Sequence, residues 1–148
     1  MAFTDKYVKT KQEIEHMREA GKILSKILQK LKSEIAPGVE TWELEKKFIK
    51  LCKKHNVIPA CKGYDPYGGF PFPTGLCFSI NEESVHCFPQ KNKFLKDGDL
   101  VTLDTSIRKD RLYVDSAFSA GVGNVTPQRQ KLLEVTEKAM YEAIKKVK

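Results

Sequence analysis

Two aspartates, Asp104 and Asp115, stand eleven residues apart in LVTLDTSIRKDRLYVDSAFSAGV, residues 100–122. The stretch alternates apolar and polar side chains in two runs with a charged break between them, the period of strand, turn and strand. A turn centred on Lys109-Asp110 places Asp104 directly opposite Asp115. Thr102, Asp104 and Ser106 then share one face with Tyr113, Asp115 and Ala117, while Val101, Leu103 and Ile107 share the other with Leu112, Val114 and Phe118. Facing residues of an antiparallel pair have Cβ atoms roughly 4.5–5.5 Å apart, and like charges there are destabilising. A bound cation would relieve the repulsion, because carboxylate oxygens are hard ligands. A shared proton would relieve it too. A different register, with both carboxylates in water, is the third reading.

The elements that must hold these residues can be read from the rest of the chain. Thr10 and Glu13 have the spacing of a capping box opening a helix. Ile14, Met17, Gly21, Leu24, Leu28, Leu31 and Ile35 follow at steps of three and four, a seam for packing on a sheet. Gly21 within it predicts close approach to a neighbour, and Pro37-Gly38 ends the helix. Thr41 is expected to cap a second helix running to about His55, with Leu44, Phe48, Leu51 and Cys52 inward. His16 and His55 read as surface histidines. Residues 63–75, GYDPYGGFPFPTG, form a structured loop dense in glycine, proline and aromatics. Residues 76–80 read as a buried strand, and Lys96-Asp97-Gly98-Asp99 as a turn. Thr126-Pro127 opens a last helix, with Leu132, Val135, Ala139, Ala143 and Val147 on or near one face.

Bulk properties narrow the class. A chain of 148 residues, 41% hydrophobic and 30% charged, is globular and long enough for one core. No apolar run reaches a membrane span, and the N-terminus lacks the apolar centre of a signal peptide, so a cytoplasmic protein with no membrane partner is expected. Cys52, Cys61, Cys77 and Cys87 form no C-x-x-C pair and read as reduced thiols. The net charge of +7 admits an acidic partner such as RNA, yet the lysines are spread along helices with no compact basic cluster.

Several segments together resemble a known family. LKDGDLVTLD at 95–104 with DSA at 115–117, SINEESVHCFP at 79–89, KTKQEIEHMREAG at 9–21, IAPGVETWEL at 35–44 and IPACKGY at 58–64 match, in order, motifs of the type I methionine aminopeptidases. The resemblance implies an α+β fold with an antiparallel sheet and helices on one face. That is half of a pita-bread (creatinase/aminopeptidase-like) architecture, with residues 1–148 as a single domain. It implies removal of the initiator methionine from new proteins, with peptides bearing an N-terminal Met as substrate. By the same match Asp104 and Asp115 are metal ligands, Asp115 bridging two divalent ions (Mn, Fe, Co or Zn). His86 is a catalytic-site histidine that hydrogen-bonds substrate, and Cys61, Tyr64, Phe72 and Cys77 line the pocket for the methionine side chain.

Three departures accompany the match. Cys87 stands where glycine usually follows the histidine, Asp110-Arg111 replaces Asp-Gly at the hairpin, and Val114 replaces a small residue. The family's remaining His and two Glu ligands have no counterpart motif in this sequence. The chain therefore reads as truncated, a proteolytic fragment or a natural short paralogue, with weak or no metal binding and little activity alone. Two alternatives stay open. One is a non-catalytic module of the same fold that contacts ribosome, RNA or a protein partner. The other is self-association through the surface that a half-fold exposes.

Overall fold

A computed structural model describes residues 7–147. In chain order the elements are α1 (Lys11–Lys32), α2 (Thr41–Lys54), β1 (Ile58–Pro59), β2 (Cys77–Ile80), β3 (Leu100–Lys109), β4 (Leu112–Gly121) and α3 (Pro127–Ile144). β3 holds the sheet together. Along one edge it pairs antiparallel with β4 over ten positions, from Leu100↔Gly121 to Lys109↔Leu112. It also pairs antiparallel with β2 at 101–104 and with β1 at 107–108. Since β4 fills one edge of β3, β1 and β2 lie end to end along the other.

The observed register differs from the expected one by two residues. Asp104 faces Ala117, and Asp115 faces Ser106. The two carboxylates are diagonal neighbours and do not stand directly opposite each other. The cause is the turn, which falls on Asp110-Arg111, with Asp110 in the left-handed region at φ 56°. Asp tolerates that conformation better than most residues because its short side chain bonds locally. A shift of two preserves the pleat, so the division of side chains between the two faces survives.

The inner face of the hairpin meets the helices. Val101, Leu103 and Ile107 are fully buried with Leu24, Ile27, Leu31, Leu44, Phe48, Leu76 and Phe78, and Val114, Phe118 and Ala120 pack against this core. Helix α1 opens with the Thr10–Glu13 capping box as expected. Its buried stripe is Ala20, Leu24, Ile27, Leu28 and Leu31. Ile14 stays largely exposed, and a side chain at Gly21 would meet nothing within 4 Å, so the predicted close approach there does not occur. The helix ends at Lys32, short of Ile35. Helix α2 is not capped by Thr41; its N-cap is Glu40, without a side-chain cap bond. Thr41 is buried instead, its hydroxyl donating to the Gln90 carbonyl at 2.9 Å and accepting from the Gln90 N–H. Helix α3 begins with Thr126 accepting from the Arg129 N–H and Pro127 in the first turn, as read from the sequence. None of its residues is buried; Leu132, Val135, Met140, Tyr141 and Ile144 are exposed.

Candidate active site

The outer face of the hairpin is polar because the alternation that buries Val101, Leu103 and Ile107 turns Thr102, Asp104, Ser106, Asp115 and Ser119 outward. Thr102 and Ser119 hydroxyls are 2.8 Å apart, and the Ser106 hydroxyl donates to Asp115 Oδ1. Asp104 sits half-buried next to β2. Burial raises its carboxyl above the ordinary range, the nearby Asp115 charge raises it further, and His86 and the Thr105 N–H pull it back. That balance is the signature of a partly buried carboxylate facing a like charge.

His86 arrives by way of β2. The Phe78 N–H donates to the Cys87 carbonyl at 2.7 Å, so the segment carrying His86 runs along the outer edge of β2. His86 adopts φ 58°, a left-handed backbone rarely taken by a residue with a side chain. A pocket of about 30 Å³ results, lined by Cys77, Ser79, Ser84, Val85, His86, Thr102 and Asp104. Asp115 lies beyond this lining, on the same face.

The other site residues proposed from the sequence lie around the loop between β1 and β2. The Cys61 and Cys77 thiols are hydrogen-bonded to each other. That contact holds the Cys61 thiol down to about 6, while the same contact together with burial pushes the Cys77 thiol up. Phe72 meets Phe88 edge-to-face with ring centroids 6.3 Å apart. Tyr64 is 64% exposed. Its carbonyl accepts from the Phe72 N–H at 2.9 Å, and the Gly63 N–H donates to the Phe72 carbonyl at 2.8 Å. The structure thus gathers His86, Cys77 and Asp104 in one pocket, with Cys61 beside Cys77 and Asp115 on the same face, while neither Tyr64 nor Phe72 is part of the pocket's lining.

Sequence reasoning missed the group that anchors this loop. Glu45 of α2 is 2% exposed and accepts from the Gly75 N–H at 2.8 Å and the Leu76 N–H at 3.1 Å. Burial raises its carboxyl above the ordinary range, and the two N–H bonds oppose the shift. Thr105 adds a 2.7 Å bond to the Gly75 carbonyl. A Cβ on Gly75 would fall 2.7 Å from Cε1 of buried Phe48, so the loop must return through a glycine here.

The profile of metallopeptidase family M24 matches residues 15–148. The chain belongs to that family. Methionine aminopeptidase of Aquifex aeolicus is 40% identical over 138 residues, covering 93% of this chain and 54% of that protein. Methionine aminopeptidase 1 of Bacillus subtilis is 39% identical over 140 residues, covering 95% and 54%. The crystal structure of methionine aminopeptidase from Thermotoga maritima superposes with a TM-score of 0.87 at 38% identity, over 95% of this chain and 55% of that one. The prolidase of Pyrococcus furiosus shares the fold at a TM-score of 0.71 and 22% identity. This M24 chain spans about half the length of the curated relatives it matches. Its antiparallel sheet, with α1 and α2 on one face, is the α+β arrangement of these pita-bread enzymes. Among the described residues no helix is long and apolar enough to cross a membrane.

A metallopeptidase family implies divalent metal. Asp104 and Asp115 fit such an ion in kind, being hard oxygen donors on one accessible face whose mutual repulsion a cation would cancel. They do not fit in number. Among the described residues no cluster of three or more His, Cys, Asp or Glu could hold a metal.

Proposed function

We propose that this chain supplies the substrate-binding half of a methionine aminopeptidase, the metal-dependent exopeptidase that removes the initiator methionine from new proteins. The observation that carries this reading is the meeting of His86, Cys77 and Asp104 around one pocket, on the face that also bears Asp115. The chain bearing it is 40% identical to a methionine aminopeptidase over most of its length. Divalent metal held at the paired carboxylates would polarise a peptide carbonyl and supply hydroxide near neutral pH. The chain's own residues do the rest of the work assigned here. Asp104 and Asp115 present ligand oxygens, and His86 hydrogen-bonds the substrate backbone. Cys61, Cys77, Phe72 and Tyr64 receive the methionine side chain, whose polarisable thioether suits sulfur and aromatic neighbours. With two carboxylates alone, Mn, Fe, Co or Zn binds weakly, and this chain by itself turns over little or nothing.

A second reading is a non-catalytic module of the same fold that binds RNA, ribosome or protein. It is favoured by the absence of a third ligand beside Asp104 and Asp115 among the described residues. One experiment separates the two. Methionine release from a Met-Ala-Ser peptide is followed with Mn(II) or Co(II). The samples are the purified chain alone and the chain mixed with the unmatched C-terminal part of the Bacillus subtilis relative. An Asp115→Asn variant runs beside each. Metal-dependent release that appears on mixing and vanishes in the variant supports the half-enzyme. No release in either sample moves the binding module forward.

A further inference from the structure

The return of the chain at the neck of the 62–76 loop brings two thiols together. Ala60 is held level with Ser106 by its N–H bond to the Ser106 carbonyl at 2.9 Å. Cys77 is the register partner of Asp104. These two anchor points are two residues apart along β3, about 6.8 Å at the rise of an antiparallel strand. Cys61 steps off from Ala60 into that gap, and its thiol meets that of Cys77 in a hydrogen bond. Both cysteines therefore reach the same edge of β3 at neighbouring positions, the placement from which a cross-link between them can form. Both cysteines are partly exposed.

We propose that Cys61 and Cys77 form a reversible disulfide that fastens the neck of the 62–76 loop. The oxidant is a small-molecule disulfide of the glutathione class. One cysteine gives its proton to solvent and attacks a glutathione sulfur, and one glutathione leaves as thiolate. The second cysteine then attacks the protein sulfur of the mixed disulfide and expels the other glutathione. Two protein thiols are oxidised to one cystine, and one glutathione disulfide is reduced to two thiols. Excess glutathione runs the exchange backwards. Both ends of the neck are held in place, Glu45 binding Gly75 and Leu76 on one side and β3 binding Ala60 and Cys77 on the other. Cys52 takes no part, being 1% exposed within the core with its thiol pushed up to about 12 by burial. The consequence for substrate rests on the peptidase reading: the cystine removes two thiols from the wall of the methionine pocket.

The test uses the whole chain in glutathione buffers of stepped oxidised-to-reduced ratio, quenched in acid and read by intact mass and peptide mapping. The expected product is lighter by two hydrogens and contains one peptide cross-linked between Cys61 and Cys77. Two of the four thiols disappear, and dithiothreitol restores both. Cys61→Ser and Cys77→Ser each stop at a single glutathione adduct or stay reduced. The oxidised wild type melts higher than the reduced one, since the cross-link restricts the unfolded chain. A wild type that accumulates a stable glutathione adduct, or whose cystine involves Cys52, Cys87 or a second molecule, overturns the proposal. Because mass is the readout, loss of the peptidase reading leaves this result standing, and the converse also holds.

Discussion

Removing the Glu45 carboxylate is the most direct test of how the 62–76 loop is anchored. Both carboxylate oxygens are engaged, one with the Gly75 N–H at 2.8 Å and one with the Leu76 N–H at 3.1 Å, inside a buried site. Glu45→Ala deletes both acceptors and leaves two buried donors without partners. Each such donor costs about 1–3 kcal/mol, which brackets the loss at about 2–6 kcal/mol. The variant also loses a buried carboxylate and so recovers part of its desolvation cost, which places the expected value at the lower end, about 2–3 kcal/mol. Against a typical domain stability of about 5–15 kcal/mol this is large. Glu45→Gln keeps one carbonyl acceptor but turns an amide N–H toward a backbone N–H, so it should fall between wild type and alanine. Urea unfolding followed by circular dichroism at neutral pH measures both, and amide exchange at Gly75 and Leu76 reports the site itself. Those two amides should lose protection in Glu45→Ala by more than the core strand amides do. A destabilisation below about 0.5 kcal/mol, or unchanged exchange at both amides, refutes the anchoring argument. The pH dependence adds a check of sign. Burial raises the Glu45 carboxyl above 4.5 in the folded chain. The folded state therefore binds the proton more tightly than the unfolded one. Its stabilising contribution is complete below about pH 4.5 and is lost as pH rises through the folded value. Wild type minus Glu45→Gln stability should accordingly fall with rising pH from 4.5 upward and then level off.

Other expectations follow from the same geometry. Leu103→Ala, at a fully buried position in the centre of β3, should cost about 2–5 kcal/mol in urea unfolding. Gly75→Ala should cost about 1–3 kcal/mol, because its Cβ would meet Phe48 and Pro59; a Phe48→Leu background should recover part of that loss. Asp104→Asn removes the like charge beside Asp115 and should leave the metal-free chain unchanged or more stable by roughly 0.2–1 kcal/mol. The same variant should abolish any thermal shift that Mn(II) produces in wild type.

The faces of the hairpin were legible in the sequence, and its register was not. Alternation over residues 100–122 depends only on parity, so Asp104 and Asp115 were assigned to one face correctly even though the turn lies one residue later than expected. The turn itself carried a weak signal, since Asp110-Arg111 lacks the glycine that fixes a two-residue loop. Helix α1 was legible where it crosses the sheet, at Leu24, Leu28 and Leu31, and misleading at Ile14, which is not buried, and at Gly21, where an added side chain would meet nothing. Periodicity records which residues share a stripe and is silent on where the neighbouring layer stops. Glu45 gave no sign at all. A charged residue between Leu44 and Phe48 on an amphipathic helix reads as a solvated edge, and its partners are backbone groups thirty and thirty-one residues away. Of the candidate site residues, His86 and Cys77 are suggested only by the family resemblance, and only the pairing of the chain along the edge of β2 brings His86 to Asp104.

The end-to-end placement of β1 and β2 on a single edge of β3 bears on how such a site changes over evolutionary time. The segment between Cys61 and Cys77 departs from that edge and rejoins it almost where it left. Adding or deleting residues within its exposed part, 63–72, alters no ladder and no register of the sheet. The entropic cost of a longer excursion grows only with the logarithm of its length. The exposed part of the loop can therefore change length or composition while Asp104 and Asp115 stay where β3 and β4 put them. The exposed part of the loop and the two carboxylates are thus held by separate contacts, so a change in loop length does not by itself displace Asp104 or Asp115.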